Sequence, residues 1–264
     1  MKNNYLKFPV FVMLCILSFL LKGCSSQPAG ERDYYEMRIY HYSSPSQEAM
    51  IDNYLEKALL PALHRAGIPV AGVFKPVKSD TVNKNLVYVF IPYQNLEEWT
   101  GLPAKLEADQ VYAAAGRDFL DAPYNNPPFD RYETVIAQAF SNMPRYRIPS
   151  YDTPRSERIY EYRSYESATE AKAAKKIQMF NEGEMQIFEK VGSNAVFYAK
   201  VISGSQMPRL LYMTTYADMK SHDEHWAAFR ASDEWKEMSG LEEYRNTVSK
   251  ANPFLLYPTS YSDF

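Results

Sequence analysis

Cysteine is nearly absent from this chain. Of 264 residues only Cys15 and Cys24 are cysteine, and both fall within the first 24 positions. The rest of the protein has no thiol for a disulfide, a thiolate metal site or nucleophilic catalysis. Glycine is scarce too, at 10 residues, and no glycine-rich phosphate loop or dinucleotide fingerprint occurs. Serine-nucleophile motifs and the HExxH metal signature are missing. These gaps remove hydrolase, kinase and dehydrogenase readings. Lys and Arg number 29 against 32 acids, without a basic run, so the clustered cations that nucleic acid requires are wanting. Only four histidines are present. His222 and His225 stand three apart on an expected helix, a spacing a metal could use, but the sequence names no third ligand. No metal and no other cofactor is expected. His41 and His64 have no partner pattern and read as structural.

Aromatic residues are what the chain has in quantity, with 22 Tyr and 14 Phe in a sequence that is 46% hydrophobic. That is enough to bury one large core or two small ones, and these residue types suit half-buried strands. One strand pattern occurs twice. Glu36-Met37-Arg38-Ile39-Tyr40 returns as Glu161-Tyr162-Arg163-Ser164-Tyr165, 125 positions on. Side chains alternate across a strand, so Glu, Arg and Tyr share one face in each copy. If the apolar faces pack under helices, Glu36, Arg38, Tyr40, Glu161, Arg163 and Tyr165 point into a barrel or its mouth. There the charged pairs form either a structural network or the wall of a polar ligand cavity.

Residues 1–23 read as a signal peptide. Lys2 and Lys7 precede an apolar run from Phe8 to Leu21, too short to span a bilayer comfortably. The run ends in Leu21-Lys22-Gly23-Cys24, which resembles a bacterial lipobox with Cys24 as the lipidated residue. Lys22 is unusual there. Residues 24–33 would form a tether, placing the protein in the cell envelope on the periplasmic face of the outer membrane.

The remaining chain divides at a proline-bearing connector, residues 143–156. In the first part, 34–142, Ser44-Pro45-Ser46-Gln47 opens a helix as a capping box with proline at its first position. Pro61 should open that helix near Lys57. Two strands follow, then a helical region interrupted around Gly101–Pro103, then a strand over 132–140. The second part, 157–264, repeats the order, with Ser167-Ala168-Thr169-Glu170 as its capping box and Asn181-Glu182-Gly183 as a weak point in its first helix. The expected class is α+β: two ferredoxin-like β-α-β-β-α-β repeats whose sheets close into one barrel.

Particular segments carry a family resemblance. Asn53-Tyr54-Leu55, Leu60-Pro61-Ala62-Leu63-His64-Arg65-Ala66-Gly67-Ile68 and Val70-Ala71-Gly72-Val73-Phe74 resemble the first half of a NIPSNAP-family domain. Asn194-Ala195-Val196-Phe197-Tyr198, Leu211-Tyr212-Met213-Thr214-Thr215 and Asp223-Glu224-His225-Trp226 resemble its second half. The resemblance spans nearly all of 34–264 and is nearest the bacterial lipoprotein branch. It implies an intramolecular dimeric α+β barrel and no particular reaction, because no shared catalytic set carries across. Two functional classes follow. One is a lipid-anchored small-molecule-binding or structural protein, with a homo-oligomer among its partners. The other is a monooxygenase-like enzyme, either cofactor-independent or haem-related, using pocket groups such as Tyr198, His225 or Arg163.

Overall fold

Period-two alternation of aromatic and aliphatic residues yields eight strands: β1 (Tyr34–His41), β2 (Gly72–Pro76), β3 (Leu86–Tyr93), β4 (Arg131–Ala139), β5 (Ile159–Glu166), β6 (Asn194–Ser203), β7 (Arg209–Tyr216) and β8 (Lys250–Pro258). They come from a computed structural model that describes residues 31–80 and 83–264. The expected signal peptide and Cys24 lie outside the described residues. The strands form a closed antiparallel barrel in the order β1-β3-β2-β8-β5-β7-β6-β4. Closure leaves no sheet edge.

Helices cover the outside of the barrel. Ser44 caps α1 (Pro45–Tyr54) by accepting from the Gln47 N–H. Its continuation widens into a π-helical turn at Leu55–Leu59 before α2 (Leu60–Arg65). Pro61 cannot donate and so favours this opening. The second half opens at the matching place, Phe180–Glu184, between α6 (Glu170–Met179) and α7 (Met185–Lys190). No proline is there, so packing rather than a missing donor sustains that turn. The cap of α6 is Thr169, not the expected Ser167, whose hydroxyl donates instead to the Thr247 carbonyl. α3 (Leu96–Ala108) runs unbroken through Gly101 and Pro103, contrary to the expected interruption. It is followed by α4 (Gln110–Ala115) and α5 (Arg117–Leu120), and in the second half α8 (Met219–Ala231) is followed by α9 (Asp233–Gly240).

The core has three compartments. One lies under the helices of each half. The third fills the barrel and takes residues from all eight strands, among them Tyr35, Met37, Phe90, Tyr162, Val201 and Met213. One barrel end is closed by rings: Phe264 packs against Phe74, Phe90 and Tyr146 at centroid distances of 5.7, 5.6 and 6.5 Å. The connector that supplies Tyr146 is therefore part of the packed structure. Asp33, at the end of the expected tether, is also fixed: it is buried, donates from its N–H to Pro144 and pairs with Arg145.

Candidate functional site

The repeated polar triplets face the opposite way to that expected. Tyr35 and Met37 point into the barrel, while Tyr40 belongs to the compartment under the first-half helices. By strand alternation Glu36 and Arg38 face outward with Tyr40, and Glu161, Arg163 and Tyr165 do the same on β5. The reason is space and solvation. An eight-stranded barrel is just wide enough to be filled by its own side chains, and around Tyr35 and Met37 it is filled by rings and aliphatic groups that offer little to a charge. Under the helices, neighbouring strands and helices can supply donors to a buried carboxylate, which must have them.

In the first half Glu36 has both oxygens engaged. Oε1 accepts from Arg38 Nε and from Thr134 Oγ1, each at 2.9 Å, and Oε2 accepts from the Tyr93 hydroxyl at 2.8 Å. Burial opposes the charge on Arg38, but Glu36 and Tyr40 more than compensate and raise its pKa well above the ordinary value. Tyr93 is raised by burial and by the same glutamate. A cleft of about 330 Å³ opens over this pair, lined by Glu36, Arg38, Tyr93, Trp99, Leu102 and Tyr112 among others. Strand residues make its floor and α3–α4 its walls. Arg38 retains 17% of its side-chain exposure there. The cleft presents one guanidinium to a flat apolar space. Glu36 has a donor on each oxygen, and the other carboxylate lining the cleft is Glu107, exposed on α3.

The second half builds the same pair and covers it differently. Trp226 of α8 donates from Nε1 to Glu161 Oε2 at 2.5 Å, and its ring lies 4.3 Å from the Arg163 guanidinium carbon. Arg163 Nε stands 3.4 Å from Glu161 Oε1, and Nη1 donates to the Tyr212 hydroxyl at 3.4 Å. That hydroxyl also shares a 2.8 Å hydrogen bond with Tyr165. His222 adds a further contact, its Nε2 lying 3.4 Å from Glu161 Oε2. Burial disfavours its charge, but Glu161 and Asp223 outweigh burial and raise its pKa. Burial also opposes the charge on Arg163, which Tyr212, Tyr165 and Glu161 nonetheless hold above its ordinary value.

A second buried ion pair lies beside this centre. Lys176 Nζ meets Glu184 Oε2 at 2.6 Å, with side-chain exposures of 6% and 2%. The ammonium also sits 4.8 Å from the Phe180 ring centroid and 5.4 Å from that of Trp235. Burial pushes Glu184 above the usual carboxylate range despite Lys176. Sequence reasoning missed this pair because eight residues separate its members. It equally missed Tyr93, Thr134, Trp99 and Tyr112, which reach Glu36 or its cleft only through the register of β1 with its neighbours and the placement of α3–α4. The one available signal was the indole at Trp226, beside the histidines.

The structure does not bring Tyr198 or His225 onto Glu161. Tyr198 is buried on the helix side, its ring 5.6 Å from Tyr212, and borders a separate cleft with Asn142, Met143 and Ser193. His225 packs over Gly192, whose φ of +81° suits glycine and whose added Cβ would meet the imidazole at 2.9 Å. His222 and His225 both pack on the Tyr216 ring, at centroid distances of 4.9 and 5.8 Å. Among the described residues no group of three His, Cys, Asp or Glu is placed to hold a metal, and no helix is long and apolar enough to cross a membrane.

Comparison with known proteins places this geometry. Residues 160–263 match the family model described as NIPSNAP. No curated relative matches the chain. A candidate monooxygenase from Lactobacillus acidophilus NCFM is similar in structure at 11% identity and a TM-score of 0.54, covering 86% of this chain and 94% of its own. An anthrone oxidase-like protein matches at 9% identity and a TM-score of 0.53, with coverages of 88% and 93%. A NIPSNAP-like domain protein from Burkholderia xenovorans matches at 20% identity over 41% of this chain and 91% of its own, with a TM-score of 0.38. The two long matches share the fold, a mixed α+β arrangement around a closed antiparallel barrel.

Proposed function

Taking residues 160–263 as a NIPSNAP domain, we propose that the chain is a lipid-anchored binding protein of the cell envelope whose first-half cleft takes a small, flat molecule. On this reading Cys24 carries the anchor, on the periplasmic face of the outer membrane. Residues 34–142 and 157–264 are two ferredoxin-like repeats, consistent with the barrel neighbours β4-β1-β3-β2 and β8-β5-β7-β6. The observation that carries the proposal is Glu36 with a donor on each oxygen beneath an open cleft. A general base must lie within hydrogen-bond reach of the proton that it abstracts, whereas Glu36 is 2% exposed and already accepts from three side chains. It instead holds Arg38 in place, leaving the guanidinium to meet a hydrogen-bond acceptor while Trp99 and Tyr112 take an apolar body.

The test is mass spectrometry of small molecules that stay with the natively purified full-length protein. A molecule of this kind should co-purify, and Arg38→Met or Trp99→Ala should reduce its amount at least tenfold. Retention unaffected by both substitutions would sink the cleft reading. Oxidation of the retained molecule on incubation in air would favour the monooxygenase-like alternative. Cys24→Ser in the same preparation should abolish detergent partitioning, and unchanged partitioning would remove the anchor.

A further inference from the structure

The barrel end opposite Phe264 holds a cavity of about 410 Å³, separate from the cleft under α3–α4 and formed by residues of β1, β3, β4, β5, β7 and β8 with Asn83 and Gln206 from the loops. Part of its wall is an aromatic trio. Tyr88 lies 5.8 Å from Tyr162 and 6.0 Å from Phe254, and Tyr162 stacks on Phe254 at 5.8 Å. Arg209 also lines it and is only 6% exposed. Its Nη1 donates to Ser164 Oγ at 3.2 Å and to Gln206 Oε1 at 2.9 Å, both neutral acceptors. Its Nε is buried without a hydrogen-bond partner.

Among the described residues no carboxylate pairs with Arg209. Glu166 stands opposite it in the β5–β7 register. Its Oε1, however, accepts from Asn252 at 3.1 Å and lies 3.7 Å from Lys250. Glu133, at the rim, has Oε1 2.9 Å from His41 Nε2 and 3.7 Å from Arg131 Nε. A guanidinium stays charged at any ordinary pH, and burying one without a counter-charge is strongly unfavourable. The missing partner is an anion, and the wall around it is built of rings.

We propose that this barrel mouth binds a small organic carboxylate with a flat aromatic body. Arg209 holds the carboxylate through Nε and its spare Nη protons, the planar fork that suits a carboxylate. Tyr88, Tyr162 and Phe254 contact the ring. An inorganic anion would satisfy the charge but leave most of a 410 Å³ space unfilled. Ser164 and Gln206 fix the guanidinium in advance, which limits the ordering that binding demands.

Isothermal titration calorimetry of the full-length protein in detergent tests this, with benzoate as probe and benzamide as its neutral counterpart. Benzoate should bind at least tenfold more tightly than benzamide. The preference should vanish in Arg209→Met and persist in Arg38→Met, which separates this site from the cleft. Failure of benzoate to bind, equal binding of both probes, or a preference surviving Arg209→Met overturns the proposal. Arg209→Met removes a buried unpaired charge and should unfold no earlier than the parent. Should it fail to fold, Phe254→Ala at the half-buried rim provides the reading: benzoate affinity must fall at least threefold, and an unchanged affinity overturns the site.

Discussion

Glu36–Arg38 and Glu161–Arg163 occupy matching places on β1 and β5, yet their surroundings diverge. In the first half two strand hydroxyls, from Tyr93 and Thr134, complete the glutamate, and the space above stays open. In the second half Trp226 and His222 reach down from α8, and the indole lies against the arginine. The π-helical turns diverge in the same sense. Lys176 and Glu184 form a buried ion pair where, 125 residues earlier, Ile51 and Leu59 are fully buried aliphatics. One backbone frame thus accepts hydrocarbon or a matched pair of charges at one place, provided each charge has its partner. Both arginines keep 17% of their side-chain exposure, so the halves differ in what surrounds the pair rather than in how far the guanidinium is covered.

The largest expected effect comes from removing the indole. Trp226→Ala should cost about 3–5 kcal/mol, the range for deleting a buried large aromatic, since it empties space and takes a donor from Glu161. Urea denaturation checks this. A loss below about 1 kcal/mol would mean Trp226 is not a packed plug and that the two halves are alike. Next, Lys176→Met leaves Glu184 buried and alone, which should cost about 3 kcal/mol near neutral pH. The deficit should shrink in acid as that carboxyl takes up a proton. Importing the first half's solution as Lys176→Ile with Glu184→Leu should be neutral or stabilising by about 1–4 kcal/mol. A double variant as unstable as the single would show that the two π turns are not interchangeable.

The smallest effect sharpens the electrostatic difference. The pKa of His222 is raised in the folded state by Glu161 and Asp223. Its contribution is therefore complete below the unfolded value of about 6.5 and disappears as pH rises through the higher folded value. The stability gap between the parent and His222→Gln should be at most about 1 kcal/mol, in keeping with a partly exposed pair. It should be widest near pH 6 and narrower at pH 8. A gap that does not change with pH would show that the imidazole acts through packing alone.

Strand alternation read from β1 and β5 located residues that share a face. It could not tell which face looks inward, because in this barrel both faces are buried, one by rings and one by helices. The polar triplets were therefore assigned to the interior, and the structure puts them outside it. Helix starts were read well where a single residue makes the cap, as at Ser44, and missed where Ser167 and Thr169 compete for the role. Arg209 gave no local signal: it is simply the first residue of β7, and its burial comes from the closure of the mouth around it.

From its own residues the chain determined the class of fold, because alternation, capping and a repeated strand are properties of neighbours a few positions apart. The same holds for the exclusion of thiol, phosphate-loop and serine-nucleophile chemistry, which needs only an inventory. The tertiary structure alone decided which charges are paired, which cleft is open and which guanidinium is left without a counter-ion. Those outcomes depend on side chains from strands and helices 57 to 98 residues apart, such as Tyr93, Trp226 and Thr134 on their glutamates. Such contacts exist only once the barrel closes and the helices dock on it.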